Sequence, residues 1–293
     1  MDVKTYLSEK GRIVQTHLDT LVAEKELPQD SLYRAAKYSL MAGGKRLRPI
    51  LAIATAESFG CEAQLVLNAA CALELVHTYS LIHDDLPCMD DDDLRRGKPT
   101  LHKVYPEAHA ILAGDYLLTY AFEVIATDSH LTEEQKVKLI TTLSQSAGGL
   151  GMIGGQVMDI EAENRQVKIE ELQCIHRNKT GAMITASVIF GGIIAGASEK
   201  QLEMLKLYGE DIGLAFQIID DVLDVTQSEE VLGKTAGSDI LNNKSTYVSL
   251  MGLEQAHATA QSLLHSSQER INSLPITSPI LRDLSHYIVN RQD

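Results

Sequence analysis

Apolar residues recur at three- and four-residue spacing along nearly the whole chain, and no stretch of strict apolar–polar alternation bounded by turns interrupts them. That period puts one face of each segment against a core and predicts helices throughout, with no sheet. In the first segment Val3, Tyr6, Leu7, Val14, Leu18, Leu21 and Val22 share a face until Pro28 intervenes. Asp30 is placed to cap a second helix, which Gly43–Gly44 ends. Pro49 suits the first turn of a third, which Gly60 closes. Thr132 with Gln135 and Ser198 with Gln201 have capping-box spacing in front of apolar helices. Two long segments, roughly 87–100 and 227–243, lack the helical period, and each directly follows a group of aspartates. Loops of that length in a compact domain are usually functional. With no repeat, low-complexity tract or linker, the expected fold is all-α, a single domain over residues 1–293.

Composition narrows the picture. The 293 residues are 44% hydrophobic and 23% charged, the make-up of a globular protein with a large core. The formal net charge of −14 argues against nucleic acid or an anionic membrane surface as partner. Cys61, Cys71, Cys88 and Cys174 show no C-x-x-C spacing and read as reduced thiols of a cytoplasmic protein. The start of the chain, alternating charged and apolar residues, does not read as a signal peptide. Residues 181–198 carry no charge and approach spanning length, but four glycines with Thr185 and Ser187 fit a helix packed inside a protein core, so no membrane span is expected.

The chemistry concentrates in two acidic clusters, Asp84-Asp85-Leu86-Pro87-Cys88-Met89-Asp90 and Asp220-Asp221-Val222-Leu223-Asp224, each closing a long apolar stretch. Clustered carboxylates repel unless a cation sits between them. Small groups of hard oxygen ligands suit Mg²⁺, which keeps several waters and shares its remaining positions with substrate phosphates. Asp220 and Asp224 are four apart in a helical pattern and face one way, about 5–6 Å apart at Cβ. Pro87 breaks the helical turn and lets Asp84 and Asp90 converge, whereas Asp91, Asp92 and Asp93 read as a solvated loop. An EF-hand is excluded, because the glycine and closing glutamate of a calcium loop are missing.

Basic residues come in tight groups: Gly43-Gly44-Lys45-Arg46-Leu47-Arg48, Arg95-Arg96-Gly97-Lys98, Asn178-Lys179-Thr180-Gly181 and Gly233-Lys234-Thr235. Arginine suits bidentate contact with phosphate oxygens, and lysine acts as a mobile point charge. The spacing of a Walker loop is absent. His77 lies on an apolar helix, as a core histidine or a ligand contact. Gln156 and Asp159 follow Gly154–Gly155, and Gln217 lies about one turn before Asp220, facing the same space.

With these residues in view, the chain closely resembles the trans-type isoprenyl diphosphate synthases, most of all their bacterial farnesyl members. The likeness runs from about residue 30 to the C-terminus. It is carried in order by residues 43–49, His77, the cluster at 84–90, residues 95–100, Gly154-Gly155-Gln156 with Asp159, residues 179–181, Gln217 with the cluster at 220–224, Gly233-Lys234, and Lys244-Ser245-Thr246-Tyr247. The resemblance implies a bundle of ten or more helices around a deep central cavity, a homodimer, and Mg²⁺ (with Mn²⁺ as substitute). It implies Asp84, Asp90, Asp159 and Asp220 close to the metal, with Asp85, Asp221 and Asp224 supporting directly or through water. Arg95, Lys179, Lys234 and Lys244 would hold an allylic diphosphate, dimethylallyl or geranyl. Lys45, Arg48, His77 and Arg96 would hold isopentenyl diphosphate, and Thr180 and Gln217, with Lys179, would steady the carbocation.

Product length is expected to turn on Tyr79, five positions before Asp84 and about 7.5 Å deeper along the helix, with the small Ser80 beside it. In the family, an aromatic residue here, together with the longer first aspartate motif, goes with a farnesyl product. Cys88 departs from the alanine of many bacterial farnesyl enzymes, as in plant-type geranylgeranyl synthases, and Val248 replaces a common proline. The alternatives are a geranyl or geranylgeranyl diphosphate synthase and, in a different class, the non-catalytic subunit of a hetero-oligomeric synthase. A terpene cyclase would have no need for a second diphosphate site.

Overall fold

The computed structural model describes residues 2–23, 26–163, 165–227, 245–276 and 278–291, and among them helices account for nearly all regular structure. In chain order these are α1 (Val3–Leu21), α2 (Asp30–Leu40), α3 (Leu47–Ser58), α4 (Ala63–Asp84), α5 (Leu101–Val104), α6 (Glu107–Ala126), α7 (Glu133–Ala147), α8 (Met152–Ala162) and α9 (Ile169–His176). A π-helical turn (Arg177–Gly181) leads into α10 (Ala182–Ile194), followed by α11 (Glu199–Thr226), α12 (Tyr247–Met251), α13 (Leu253–Asn272) and α14 (Ile280–Asn290). The expected loop after the first acidic cluster contains a small antiparallel hairpin, β1 (Leu94–Arg95) with β2 (Lys98–Pro99), which apolar periodicity did not reveal.

Local signals set several helix ends. Thr132/Gln135 and Ser198/Gln201 both close reciprocal capping boxes. Pro49 lies in the first turn of α3, and Gly60, with φ +85°, follows its end. Asp30 does not cap α2; it is the first helical residue and pairs with Arg34 one turn on at 3.1 Å.

Apolar side chains form two contiguous sets, one centred on α4 and α6, the other on α11, α13 and α14. Helices α3 and α10 feed both, Ala52 and Phe190 on one side and Leu51 and Val188 on the other. They approach closely because Gly191 of α10 has no side chain. A Cβ there would lie 2.3 Å from the Ala52 carbonyl oxygen. Among the described residues the one helix long and apolar enough to cross a membrane is α4, not the uncharged segment at 181–198, and 72% of its apolar window is buried inside the protein. An all-round apolar helix of this kind is what a bundle centre requires.

A buried ion pair fixes the start of α3. Arg46 takes a left-handed backbone conformation (φ 50°), which turns its side chain inward. Its guanidinium donates to Glu74 Oε1 of α4 at 2.6 Å, to Gln15 Oε1 of α1 at 2.8 and 3.0 Å, and to the Leu40 carbonyl at 2.5 Å. Both side chains of the ion pair are 2% exposed. Removing Glu74 would strand a buried cation, so Glu74→Ala is expected to cost about 3–5 kcal/mol in urea unfolding. A cost under about 1 kcal/mol, the range of an exposed pair, would show that Arg46 is not confined as described.

Candidate active site

Helix α4 ends at Asp84, two residues short of Leu86, because Pro87 has no N–H to extend the ladder. The chain then doubles back, and the Asp90 N–H donates to the Asp84 carbonyl at 2.9 Å, so the backbones of the two residues meet where Pro87 breaks the helical turn, as expected. Burial raises the Asp84 carboxyl to about 6; the charges of Asp90 and Asp85 add to this, while Lys179 and Arg95 oppose it. Asp85 is buried and accepts from Arg95 Nε at 2.6 Å, tying the hairpin to the helix end. Asp91, Asp92 and Asp93 are exposed, as a solvated loop should be.

The second cluster lies in the last two turns of α11. Asp220 contacts the guanidinium of Arg291, which also lies 4.0 Å over the Phe216 ring and donates to the Phe216 carbonyl at 3.1 Å. Asp221 accepts the Tyr247 N–H at 2.8 Å, and Asp221 and Asp224 are both buried. Only Asp220 of the three is appreciably accessible. Arg291 escaped the sequence reading because it sits outside any motif.

The π-turn presents Lys179 and Thr180. Lys179 Nζ meets Asp159 Oδ2 at 2.6 Å, and the Thr180 hydroxyl donates to Gln217 Oε1 at 3.0 Å. Such turns mark places where a helix is distorted to aim a side chain. Gly155 lets α8 come onto this turn, since a Cβ would lie 2.1 Å from the Lys179 nitrogen. Lys234 and Lys244 lie outside the described residues.

A second cationic group gathers at the α3 start and the hairpin. Arg96 donates to the Gly43 carbonyl and lies over Gly44, leaving no room there for a side chain. Lys45 is exposed, while Arg48 is partly covered, with its Nε buried and without a hydrogen-bond partner. Burial lowers the Arg48 pKa, Glu74 opposes this and Arg96 reinforces it. The His77 pKa falls well below its ordinary value through burial and then through Arg48, Arg96, Arg95 and Arg46, so the ring is neutral. An open groove lined by Thr78, Asp85, Arg95 and Arg96 runs beside this group. A concentration of partly desolvated cations of this kind is suited to an anion.

The acidic residues also fit a divalent cation, of a particular sort. Asp84 is desolvated beside other carboxylates and lacks enough positive charge to keep its pKa low. Among the described residues, no three His, Cys, Asp or Glu side chains gather tightly enough to enclose an ion by themselves. Any divalent ion there would have to take one or two carboxylates and complete its shell with waters and phosphate oxygens, as Mg²⁺ does.

The helical bundle presents two carboxylate clusters and neighbouring groups of cations, a charge pattern suited to diphosphate esters. The family model described as polyprenyl synthetase matches residues 29–274. The chain is 45% identical over 289 residues to the farnesyl diphosphate synthase of Bacillus subtilis, covering 98% of this chain and 97% of that one. It is also 45% identical over 294 residues to the geranylgeranyl diphosphate synthase of Cyanophora paradoxa, covering 99% and 96%. The crystal structure of an FPP/GFPP synthase from Zymomonas mobilis superposes with a TM-score of 0.87 at 36% identity, covering 98% of each chain. The chain belongs to the polyprenyl synthetase family and is a prenyltransferase.

His176, not singled out from sequence, closes α9 beside the π-turn, its ring 5.6 Å from that of Tyr247. Its Nδ1 is buried without a hydrogen-bond partner, and burial lowers its pKa to about 4, with Asp159 opposing and Lys179 adding to the shift. The folded-state value lies below the unfolded one, so the unfolded chain binds more protons between about pH 6.5 and 4, and stability falls as pH drops through that window. His176→Asn should flatten that fall by up to about one proton, or about 1.4 kcal/mol per pH unit, in unfolding curves taken across it. Parallel pH profiles for wild type and variant would contradict a neutral buried His176.

Proposed function

We propose that the chain condenses isopentenyl diphosphate with an allylic diphosphate, dimethylallyl or geranyl, to give farnesyl diphosphate. The observation carrying this reading is that Lys179 pairs with Asp159 and Arg95 with Asp85, while Arg48, Arg96 and the neutral His77 form a neighbouring group at the start of α3 and the hairpin. Two diphosphates need two such groups. In this reading Arg95 and Lys179, joined by Lys234 and Lys244, hold the allylic diphosphate, while Lys45, Arg48, His77 and Arg96 hold isopentenyl diphosphate. His77, neutral among arginines, offers an N–H to a phosphate oxygen and is not a base.

Asp84, Asp90, Asp159 and Asp220 would hold Mg²⁺, or Mn²⁺ in its place, with Asp85, Asp221 and Asp224 in support. When bound, the metal supplies positive charge that stabilises diphosphate as a leaving group. Lys179 and Arg95 share that task as the allylic C–O bond breaks. The oxygens of Thr180 and Gln217 face the carbocation, and the apolar walls keep water from it. The double bond of isopentenyl diphosphate attacks, and the released diphosphate takes the proton.

The whole chain is read as one catalytic domain, cytoplasmic and homodimeric. Ile153, Val157 and Ile160 of α8, with Ile111 and Leu112 of α6, form exposed apolar faces that a second copy would cover. A geranylgeranyl product is the second reading, favoured by the equal likeness to the Cyanophora enzyme. Tyr79, buried on α4 below Asp84, favours the farnesyl product as a floor for the growing chain.

Asp84→Asn and Asp220→Asn should each lower turnover by about two to three orders of magnitude. Asp84→Asn should leave the melting temperature level or higher, because carboxylate repulsion is relieved, whereas Asp220→Asn weakens the pair with Arg291 and should lower it. Full turnover in excess chelator would refute the metal reading. Arg48→Ala or His77→Ala should raise KM for isopentenyl diphosphate by about 10–100-fold, the worth of a charged hydrogen bond, whereas Lys179→Ala should chiefly lower kcat. Identical kinetic profiles toward both substrates would dissolve the division into two sites.

A further inference from the structure

Tyr79 and His83 form one row on α4, four residues apart, next to the row of Ser80 and Asp84. The Tyr79 hydroxyl is buried and has no hydrogen-bond partner, so no polar contact fixes the ring. Packing alone must do so. The aromatic contact of Tyr79 is with His83, whose ring meets it edge-on at 5.7 Å and 80°. The imidazole is itself held. Its Nε2 lies 3.1 Å from the Ile111 carbonyl oxygen of α6, and it rests directly on Gly114. A Cβ at Gly114 would lie 2.2 Å from Nε2 and 2.5 Å from Cδ2, so a side chain there would displace the ring.

We propose that His83 is a second determinant of product length, a positioning residue that sets where the Tyr79 ring stands, and that Gly114 is the space that makes this possible. The α6 backbone locates the imidazole, the imidazole locates the phenol, and the phenol closes the space beneath the growing chain. The inference rests on reading Tyr79 as that floor. If His83 served only to pack α4 on α6, its loss would lower stability and leave the product unchanged. Edge-to-face aromatic pairs have a defined geometry, so removing one partner frees the other to turn.

The test is the ratio of C20 to C15 product, from labelled isopentenyl diphosphate and geranyl diphosphate, for Tyr79→Ala, His83→Ala, Gly114→Ala and the double variant His83→Ala/Gly114→Ala. His83→Ala should raise the ratio by about tenfold, the discrimination a hydrophobic wall exerts over small differences in fit, with the first condensation retained. Gly114→Ala should change the ratio in the wild-type background and have no further effect beside His83→Ala, because the added methyl then meets no ring. Longer products from Tyr79→Ala with a wild-type ratio from His83→Ala would overturn the proposal and leave the floor standing. An unchanged ratio in Tyr79→Ala as well would remove both. Should His83→Ala fail to fold, His83→Gln keeps a donor for the Ile111 carbonyl without the ring. A folded His83→Gln enzyme making only C15 would equally overturn the inference.

Discussion

Carboxylates in numbers must be held near one another, in partly dry surroundings, without pushing the helices apart. The described structure meets this constraint by giving acidic residues fixed cations drawn from elsewhere in the fold: Arg95 for Asp85, Lys179 for Asp159 and Arg291 for Asp220. At Asp84 this compensation does not offset burial, which raises its pKa, and Asp85 is raised by burial as well despite Arg95. In the proposed function, a divalent ion arriving with a diphosphate would supply charge here and so couple metal and substrate binding through ordinary electrostatics.

The same economy appears on the cationic side. Of the residues in the 43–48 segment, Arg46 is turned inward and neutralised by Glu74, so it contributes to the fold, while Arg48 lies within the field of Arg96 and His77 with a buried, unpartnered Nε. The left-handed conformation of Arg46 (φ 50°) stands between the exposed Lys45 and the first residue of α3. Close helix approach then carries these groups to their places. Gly155 admits the Lys179 turn, and Gly213 brings α11 onto Gly181, where a Cβ would lie 2.9 Å from the Gly181 Cα. The Thr180–Gln217 hydrogen bond spans that contact.

What the sequence determined by itself was local or repetitive. Helical period, the capping boxes at Thr132 and Ser198, the stop at Gly60 and the acidic and basic groups all lie within a few residues of one another, so their physics is written in short spacings. Only the tertiary structure decided which charges meet. Arg291 reaches Asp220 across 71 positions and Arg46 reaches Glu74 across 28, and no spacing encodes such pairs. It also decided that Asp221 is committed to the Tyr247 backbone, that His176 is neutral, and that Gly114 lies beneath His83. Each depends on how closely two helices pack. That distance follows from side-chain volumes summed over a whole interface, which a reading along one strand of sequence does not contain.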